Sequence, residues 1–316
     1  MNPAEAERYQ AVIAAARIYL DTLAPPLRAV TRPWFDRLAQ SEFSRIVVLL
    51  PDLLADLLPV SAEVSRQLSL AHFYFWWYYF VQDELLDGDA SPAALLSGHL
   101  ALLKMIETYA SLGVTCAPYW PDYLQLAQRS AEAHAQEWQT RFTRLDEVTP
   151  DRLERFTLDF IGDRAVPFSF NTLAQLHLAQ TQPGDSRWRD LPAALHCFIL
   201  ARQIGDDASD WLADLQAGRL NYVSARLLQR FFQHHASLDL ERLTGWQLAQ
   251  EAFWAEVEQT TQTLHRQARD HLAPYGDCRL QALITQQMAQ HAAAWAADRA
   301  SRANLRRCLG VAEAKT

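Results

Sequence analysis

The stretch Gln203-Ile-Gly-Asp206-Asp207-Ala-Ser-Asp210-Trp-Leu-Ala-Asp214-Leu-Gln-Ala-Gly218-Arg219 carries acidic residues at a spacing of four. On an α-helix this spacing places Asp206, Asp210 and Asp214 on one face, each about 6 Å further along the axis. Like charges at this spacing repel each other, and residues 203–218 include no basic side chain to neutralise them. A divalent cation such as Mg2+ would neutralise them and leave room for substrate phosphates. For a single acidic run, a solvated helix face is the simpler interpretation.

A second acidic cluster, Asp83-Glu84-Leu-Leu-Asp87, follows an aromatic run in which every residue from Phe73 to Phe80 is aromatic. A segment this apolar on all sides predicts a buried helix. Buried carboxylates are costly unless they are paired or bind a metal. We therefore expect the two acidic clusters to face each other across one cavity, with Mg2+ between them and an aromatic wall below.

The composition predicts an all-α protein. Half of the 316 residues are hydrophobic, which suffices for a substantial core, and only 10 glycines interrupt a chain that otherwise favours helix. No linker divides the chain, so we predict a single domain over residues 1–316. Ser61 and Gly88 delimit the aromatic helix, the acidic stretch falls in a helix over about 189–217, and Pro167 interrupts a helix over about 151–181.

Charge and motif content exclude several classes of function. The net charge of −8 and the lack of a basic stripe argue against nucleic acid binding. No apolar run is long enough to span a membrane, no signal peptide pattern is present, and four scattered cysteines predict a reduced, cytoplasmic protein. No glycine-rich phosphate loop occurs and only two residues are lysine, so phosphate would be held by metal and arginine.

The motifs Asp-Glu-x-x-Asp from residue 83 and Gln-x-x-Asp-Asp-x-x-Asp from residue 203 resemble the two aspartate-rich motifs of the class I isoprenoid synthase superfamily. This superfamily includes the trans-prenyl diphosphate synthases and the class I terpene synthases. The resemblance implies a large helical bundle around a deep central pocket, in which three Mg2+ ions bind and ionise an allylic diphosphate. It also implies a homodimer.

The resemblance implies roles for individual side chains. The expected metal ligands are Asp83, Asp87, Asp206, Asp210 and Asp214. The expected diphosphate-binding or catalytic residues are Arg164, Gln203, Asp207, Arg219, Tyr222, Arg299 and Arg302. For the arginines a structural interpretation is equally good: a helix kink at 164, a charge that complements the helix dipole at 219, and a solvated basic helix end near 299.

The aromatic run supplies the expected substrate pocket, which comprises His72, Phe73, Trp76, Tyr79 and Phe80. A stripe of this kind is more often core, although one helix has faces for both. Aromatic faces stabilise cations by up to about 2 kcal/mol when desolvated, which suits carbocation chemistry. By the same resemblance, bulky Tyr78 and Tyr79 shorten the pocket, which favours farnesyl diphosphate over geranylgeranyl diphosphate.

The sequence therefore predicts a Mg2+-dependent class I terpene synthase that forms a terpene hydrocarbon or alcohol and diphosphate. A chain-elongating prenyl diphosphate synthase is the main alternative, but residues 88–100 lack the arginine pair expected for binding isopentenyl diphosphate. A head-to-head condensing enzyme rests on Gly218-Arg219-x-x-Tyr222 alone. A non-catalytic helical relative or subunit is disfavoured, because an idle pocket has no use for costly buried carboxylates.

Overall fold

The computed structural model describes residues 3–310, apart from the side chains of Ala165 and Pro167. Within this range the chain is α-helical and contains no β-strand, which confirms the all-α prediction. The helices are α1 Pro3–Thr22, α2 Pro25–Gln40, α3 Glu42–Leu53, α4 Ala62–Asp87, α5 Ala94–Ser111, α6 Trp120–Gln139, α7 Pro150–Glu154, α8 Leu158–Ala165, α9 Pro167–Leu178, α10 Arg187–Gln216, α11 Tyr222–Phe232, α12 Leu240–Gln247, α13 Glu251–Leu272 and α14 Arg279–Leu309.

The described chain forms two compact units. The first comprises residues 3–123, 170–188 and 278–280, and the second comprises residues 124–169, 189–277 and 281–310. The single domain predicted over residues 1–316 remains a prediction, and its residues 1–2 and 311–316 lie outside the described residues. No helix among the described residues is long and apolar enough to cross a lipid bilayer.

The aromatic helix α4 forms the core of the first unit. Ser61 caps its start by accepting a hydrogen bond from the Val64 amide at 3.3 Å, and Gly88 ends it in the left-handed conformation at φ 78°, as predicted. Trp77 is buried, and its indole nitrogen donates to Ser97 Oγ of α5 at 3.0 Å. Helix α5 therefore packs against α4 over an apolar surface with its polar groups satisfied.

Helix α10 is central to the second unit. Its buried residues Ile204, Trp211 and Leu215 belong to one hydrophobic cluster with residues of α11 and α13. The Trp211 ring lies 6.4 Å from the ring of Trp254 on α13, measured between centroids. Burial of this apolar stripe fixes which side of α10 points inward.

The segment over about 151–181 is three helices, α7, α8 and α9, rather than the single interrupted helix that the sequence predicts. Helix α8 ends at Ala165 and α9 begins at Pro167, so the predicted interruption lies at Val166. Proline has no amide hydrogen, which removes one helical hydrogen bond at this point. A further interruption at residues 155–157 separates α7 from α8, and Thr157 caps α8 by accepting from the Phe160 amide at 3.2 Å.

Candidate functional site

The first acidic motif occupies the last turn of α4. Asp83 and Asp87 are partly buried and stand one turn apart. Glu84 between them is held from α2, because Arg37 donates to its two carboxylate oxygens at 2.9 and 2.7 Å. The same guanidinium lies 4.9 Å from the centroid of the Phe80 ring. Glu84 therefore joins α4 to α2, and Asp83 and Asp87 lie on either side of it in the same turn.

Helix α3 supplies the hydrogen-bond acceptor for the buried imidazole of His72. Pro51 has no amide hydrogen, so the carbonyl of Val47 four residues earlier lacks its usual helical donor. The Nδ1 atom of His72 lies 3.3 Å from that carbonyl oxygen, and we assign the proton to Nδ1 on this ground. Burial of the imidazole lowers the pKa of His72 to about 3, so the side chain is neutral at physiological pH.

The five predicted pocket residues fall into two groups. His72 and Phe73 are fully buried in the first unit, where Phe73 packs against the rings of neighbouring core residues. Trp76, Tyr79 and Phe80 keep part of their surface exposed. Of the five, only these three have surface available to a substrate in this conformation.

The second acidic motif distributes its carboxylates over two sides of α10. Asp206 and Asp210 are exposed, whereas Asp207 is buried. Although Asp206 is accessible to solvent, desolvation raises the pKa of its carboxyl; Arg202 opposes this shift and the neighbouring Asp210 adds to it. The exposed pair is therefore mutually repulsive, as expected for carboxylates one turn apart.

Asp207 accepts hydrogen bonds from a side chain of its own helix and from the backbone at the start of α11. Gln203 Nε2 donates to its carboxylate at 2.8 Å, and the backbone amide of Tyr222, the first residue of α11, donates at 2.9 Å. Burial raises the pKa of Asp207 to about 6, although these donors and the nearby Arg164 lower it. The predicted residues Gln203, Asp207 and Tyr222 are thus brought together, with the Tyr222 backbone as the contact.

Asp214 also has partners of its own. Arg219 donates to it through Nε at 3.3 Å and Nη2 at 3.1 Å, and Asn221 Nδ2 donates at 2.8 Å. Gly218 makes the intervening turn at φ 77°, and a Cβ atom there would lie 2.1 Å from the Phe142 carbonyl oxygen. The contact of Asn221 with Asp214 is not predicted from the sequence, because nothing in the spacing of the two residues indicates it.

Arg164 lies close to the acidic stretch within the second unit. Its Nη1 atom donates to Glu137 Oε1 at 2.8 Å, and its charge lowers the pKa of Asp207. Helix α8 can approach α10 here because Gly162 has no side chain. A Cβ atom at this position would lie 2.8 Å from the His196 ring. Glu137 carries no sequence signal for this contact, because it comes from another helix.

The predicted C-terminal arginines pair with acids of α13 and α14. Arg299 donates to Glu258 at 2.8 Å. Arg302 is 6% exposed, lies 4.8 Å from the Trp254 ring centroid and pairs with Asp298. Both arginines therefore contribute to packing within the second unit in this conformation, and their predicted contact with diphosphate stays a prediction.

The exposed pair Asp206 and Asp210 fits a Mg2+ site in which the protein supplies only one or two of the ligands. Among the described residues, no group of three or more His, Cys, Asp or Glu side chains is arranged to hold a metal. Mg2+ in phosphate-processing sites is commonly bound by one or two carboxylates together with water and substrate phosphates. Two adjacent carboxylates that repel each other provide such a donor set.

Comparison with known proteins identifies the fold. No family model and no curated protein matches the sequence. Among solved structures, the chain is similar to a protein from Corynebacterium glutamicum described as a "putative Geranylgeranyl pyrophosphate synthase". The TM-score is 0.57 at 14% sequence identity, and the match covers 91% of this chain and 95% of the other. The predicted helical fold of the isoprenoid synthase type is thereby confirmed.

Proposed function

We propose that this chain is a Mg2+-dependent class I terpene synthase that ionises an allylic prenyl diphosphate, with farnesyl diphosphate preferred. The observation that carries the proposal is the selective exposure of Asp206 and Asp210. Their neighbours Asp207 and Asp214 are bonded to donors of the protein, whereas this pair faces outward and is mutually repulsive. A cation removes that repulsion, and the similarity in fold to a prenyl diphosphate synthase supports the choice of substrate class.

The residues divide the proposed reaction among them. Asp83 and Asp87 of the first motif, with Asp206 and Asp210 of the second, bind the Mg2+ ions, three in number by the resemblance. Bound Mg2+ supplies Lewis-acid stabilisation of the departing diphosphate. Arg164 contributes a guanidinium that matches phosphate geometry, and Glu137 orients it.

The aromatic residues act on the organic part of the substrate, and Arg219 acts on its diphosphate. Trp76, Tyr79 and Phe80 present aromatic faces that stabilise a carbocation without attacking it. Arg219, oriented by Asp214, adds positive charge near the second motif. Arg299 and Arg302 are paired with Glu258 and Asp298 in this conformation, and their contact with diphosphate stays a prediction.

Chain elongation is the second candidate. It is favoured by the similarity in fold to the Corynebacterium glutamicum protein, which is described as a "putative Geranylgeranyl pyrophosphate synthase". It is disfavoured by residues 88–100, which contain no arginine or lysine to bind the diphosphate of a second substrate. We therefore rank the cyclase first.

Product analysis separates the two candidates. The purified protein is incubated with Mg2+ and geranyl, farnesyl or geranylgeranyl diphosphate, each with and without isopentenyl diphosphate. The proposal expects a volatile hydrocarbon or alcohol from the allylic substrate alone. A longer diphosphate that forms only with isopentenyl diphosphate would establish elongation instead. Binding of Mg2+ and diphosphate without turnover in any mixture would contradict both candidates.

A further inference from the structure

Asn221 uses every hydrogen-bonding group of its side chain. Its Oδ1 atom accepts from the Ser224 amide at 2.8 Å and caps α11, while Ser224 Oγ accepts from the Asn221 amide at 2.9 Å. Its Nδ2 atom donates to Asp214 Oδ2 at 2.8 Å and to the Asp207 carbonyl oxygen at 3.2 Å. One buried side chain thus joins the start of α11 to two points on α10.

These hydrogen bonds hold one side of α10. Asp207 and Asp214 are seven residues apart, so they stand nearly above one another two turns apart on the helix. The first accepts from the Tyr222 amide, and the second accepts from Asn221 and Arg219. Both carboxylates therefore accept hydrogen bonds from the corner between α10 and α11, which we define as residues 217–222.

The hydrogen bonds on the Asp207 side of α10 prevent the helix from rotating, and so they fix where Asp206 and Asp210 point. Side chains extend about 5 to 6 Å from a helix axis, so a rotation of about 20° moves a carboxylate by about 2 Å. This displacement equals a whole Mg2+–oxygen distance of about 2 Å. A corner that prevents rotation of α10 keeps Asp206 and Asp210 where a shared ion can reach both.

We propose that Asn221 is a positioning residue for the acidic face of α10, and that Asp207 and Asp214 are its anchors rather than metal ligands. This inference rests on the proposed function, because Asp206 and Asp210 must be the ligands that are positioned. It narrows the five aspartates expected from the sequence to four ligands, with Asp214 reassigned to the corner.

The decisive substitution is Asn221→Ser. A serine hydroxyl can still cap α11, but it cannot reach Asp214 and the Asp207 carbonyl as the amide does. The matched control is Asp239→Ala, which removes the N-cap of α12, where Asp239 accepts from the Arg242 amide at 2.8 Å and contacts no acid of α10. The readout is binding of Mg2+ with inorganic diphosphate, measured by titration calorimetry, with helicity followed by circular dichroism.

We expect Asn221→Ser to weaken Mg2+ binding by about tenfold or more, since loss of a hydrogen-bonding partner that orients metal ligands typically costs about 10- to 100-fold in metal affinity. Asp239→Ala should bind within about twofold of the unsubstituted chain, because it loses a cap alone. Equal binding by Asn221→Ser and the unsubstituted chain would overturn the inference and leave the proposed function standing. Absence of binding by the unsubstituted chain would overturn the proposed function, and the inference with it.

A double variant that exchanges Asn221 and Asp214 tests whether Asp214 is an anchor or a metal ligand. Asn221→Asp alone places a carboxylate against Asp214 and should weaken binding, whereas adding Asp214→Asn restores the hydrogen bond between residues 214 and 221 with reversed polarity. The donor to the Asp207 carbonyl oxygen stays lost in both variants. Recovery of Mg2+ binding in the double variant to within about threefold supports the anchor role. A double variant that folds but fails to bind would contradict the anchor role assigned to Asp214. Because the double variant retains the cap, it decides the matter even if Asn221→Ser does not fold.

Discussion

Gly88 ends the helix of the first acidic motif at φ 78° and Gly218 ends the helix of the second at φ 77°, yet the acids before these two turns are held in different ways. Glu84 of the first motif pairs with Arg37, which is 47 residues away in the chain. Asp207 of the second motif is bonded by Gln203 and by the amide of Tyr222, which is 15 residues away.

The comparison indicates that the buried acid of the second motif is bonded by residues nearby in the chain, whereas Glu84 of the first motif is bonded by a residue of a helix distant in the chain. Each motif contains a pair of aspartates at a spacing of four, and an acid between them, Glu84 or Asp207, is hydrogen-bonded within its own unit. Substitutions should therefore disturb the second motif through its corner and the first through the contact with α2.

The largest effect is expected at the presented acids. Asp83→Ala and Asp206→Ala should each lower turnover of the allylic diphosphate by about 100- to 1,000-fold, because removal of groups that stabilise transition-state charge has costs of this size. Helicity should be unchanged, since neither side chain supports the core. Steady-state kinetics and circular dichroism provide the measurement.

Ser209→Ala is the matched control, because Ser209 is exposed on α10 and lies beside the acidic pair. It should retain activity close to that of the unsubstituted chain. Full activity of either aspartate variant would refute the roles assigned to the two motifs, and loss in only one would show that the motifs are not equivalent.

The next effect concerns pH and the helix of the first motif. The folded state lowers the pKa of His72 from 6.5 to about 3, so the folded protein disfavours its protonated form. The stability it contributes is complete above pH 6.5 and is lost as the pH falls towards 3. Between pH 7 and pH 4 this single group should lower the free energy of unfolding by about 3 kcal/mol.

Urea unfolding at these two pH values provides the test. His72→Leu should be less stable at pH 7, because the Val47 carbonyl loses its donor, but it should lose less stability on acidification. His99→Leu, at an exposed position of α5, is the control. An unchanged pH dependence in His72→Leu would contradict a buried neutral imidazole.

The two terminal glycines sharpen the comparison further. Gly218→Ala should destabilise the protein by about 3 kcal/mol or more, because it combines backbone strain with a Cβ only 2.1 Å from the Phe142 carbonyl oxygen. Gly88→Ala meets nothing within 4 Å and should cost about 1 to 2 kcal/mol from backbone strain alone. Urea unfolding of both variants measures the difference, and equal costs would show that the close approach at Gly218 is unimportant.

The smallest effect is expected for the pair that fastens the first motif. Glu84→Gln should reduce the free energy of unfolding by about 1 kcal/mol or less, because the Arg37 side chain is 56% exposed and the pair is screened by solvent. Glu63→Gln, which breaks an exposed pair with Arg66 on the same helix, is the control. A much larger loss for Glu84→Gln, measured by urea unfolding, would mean that the contact with α2 organises the first motif as strongly as the corner organises the second.

Local signals predicted much of the fold. Ser61 and Gly88 delimit α4 as expected, because capping and left-handed glycine conformations depend on a few adjacent residues. The break at 166 follows from the missing amide of Pro167. The second interruption near 155–157 was not predicted, since no proline or glycine marks it.

The candidate site was predictable only in part. The spacing of four identified the acidic residues, but it could not show that Asp207 is buried while Asp206 is exposed. That distinction depends on which side of α10 packs against α11 and α13, and packing is a property of residues distant in sequence. Likewise, nothing in the sequence around Arg164 identifies Glu137 as its partner.

The sequence by itself determined the helical class, the ends of α4 and the position of both acidic motifs, because periodicity, capping and charge spacing act over a few residues. The tertiary structure decided that Asp207 is buried while Asp206 and Asp210 are exposed. It placed Arg37 on Glu84 and made Asn221 more than a helix cap. The physical reason is that burial and partnership of a charged group depend on the surfaces that meet when helices pack.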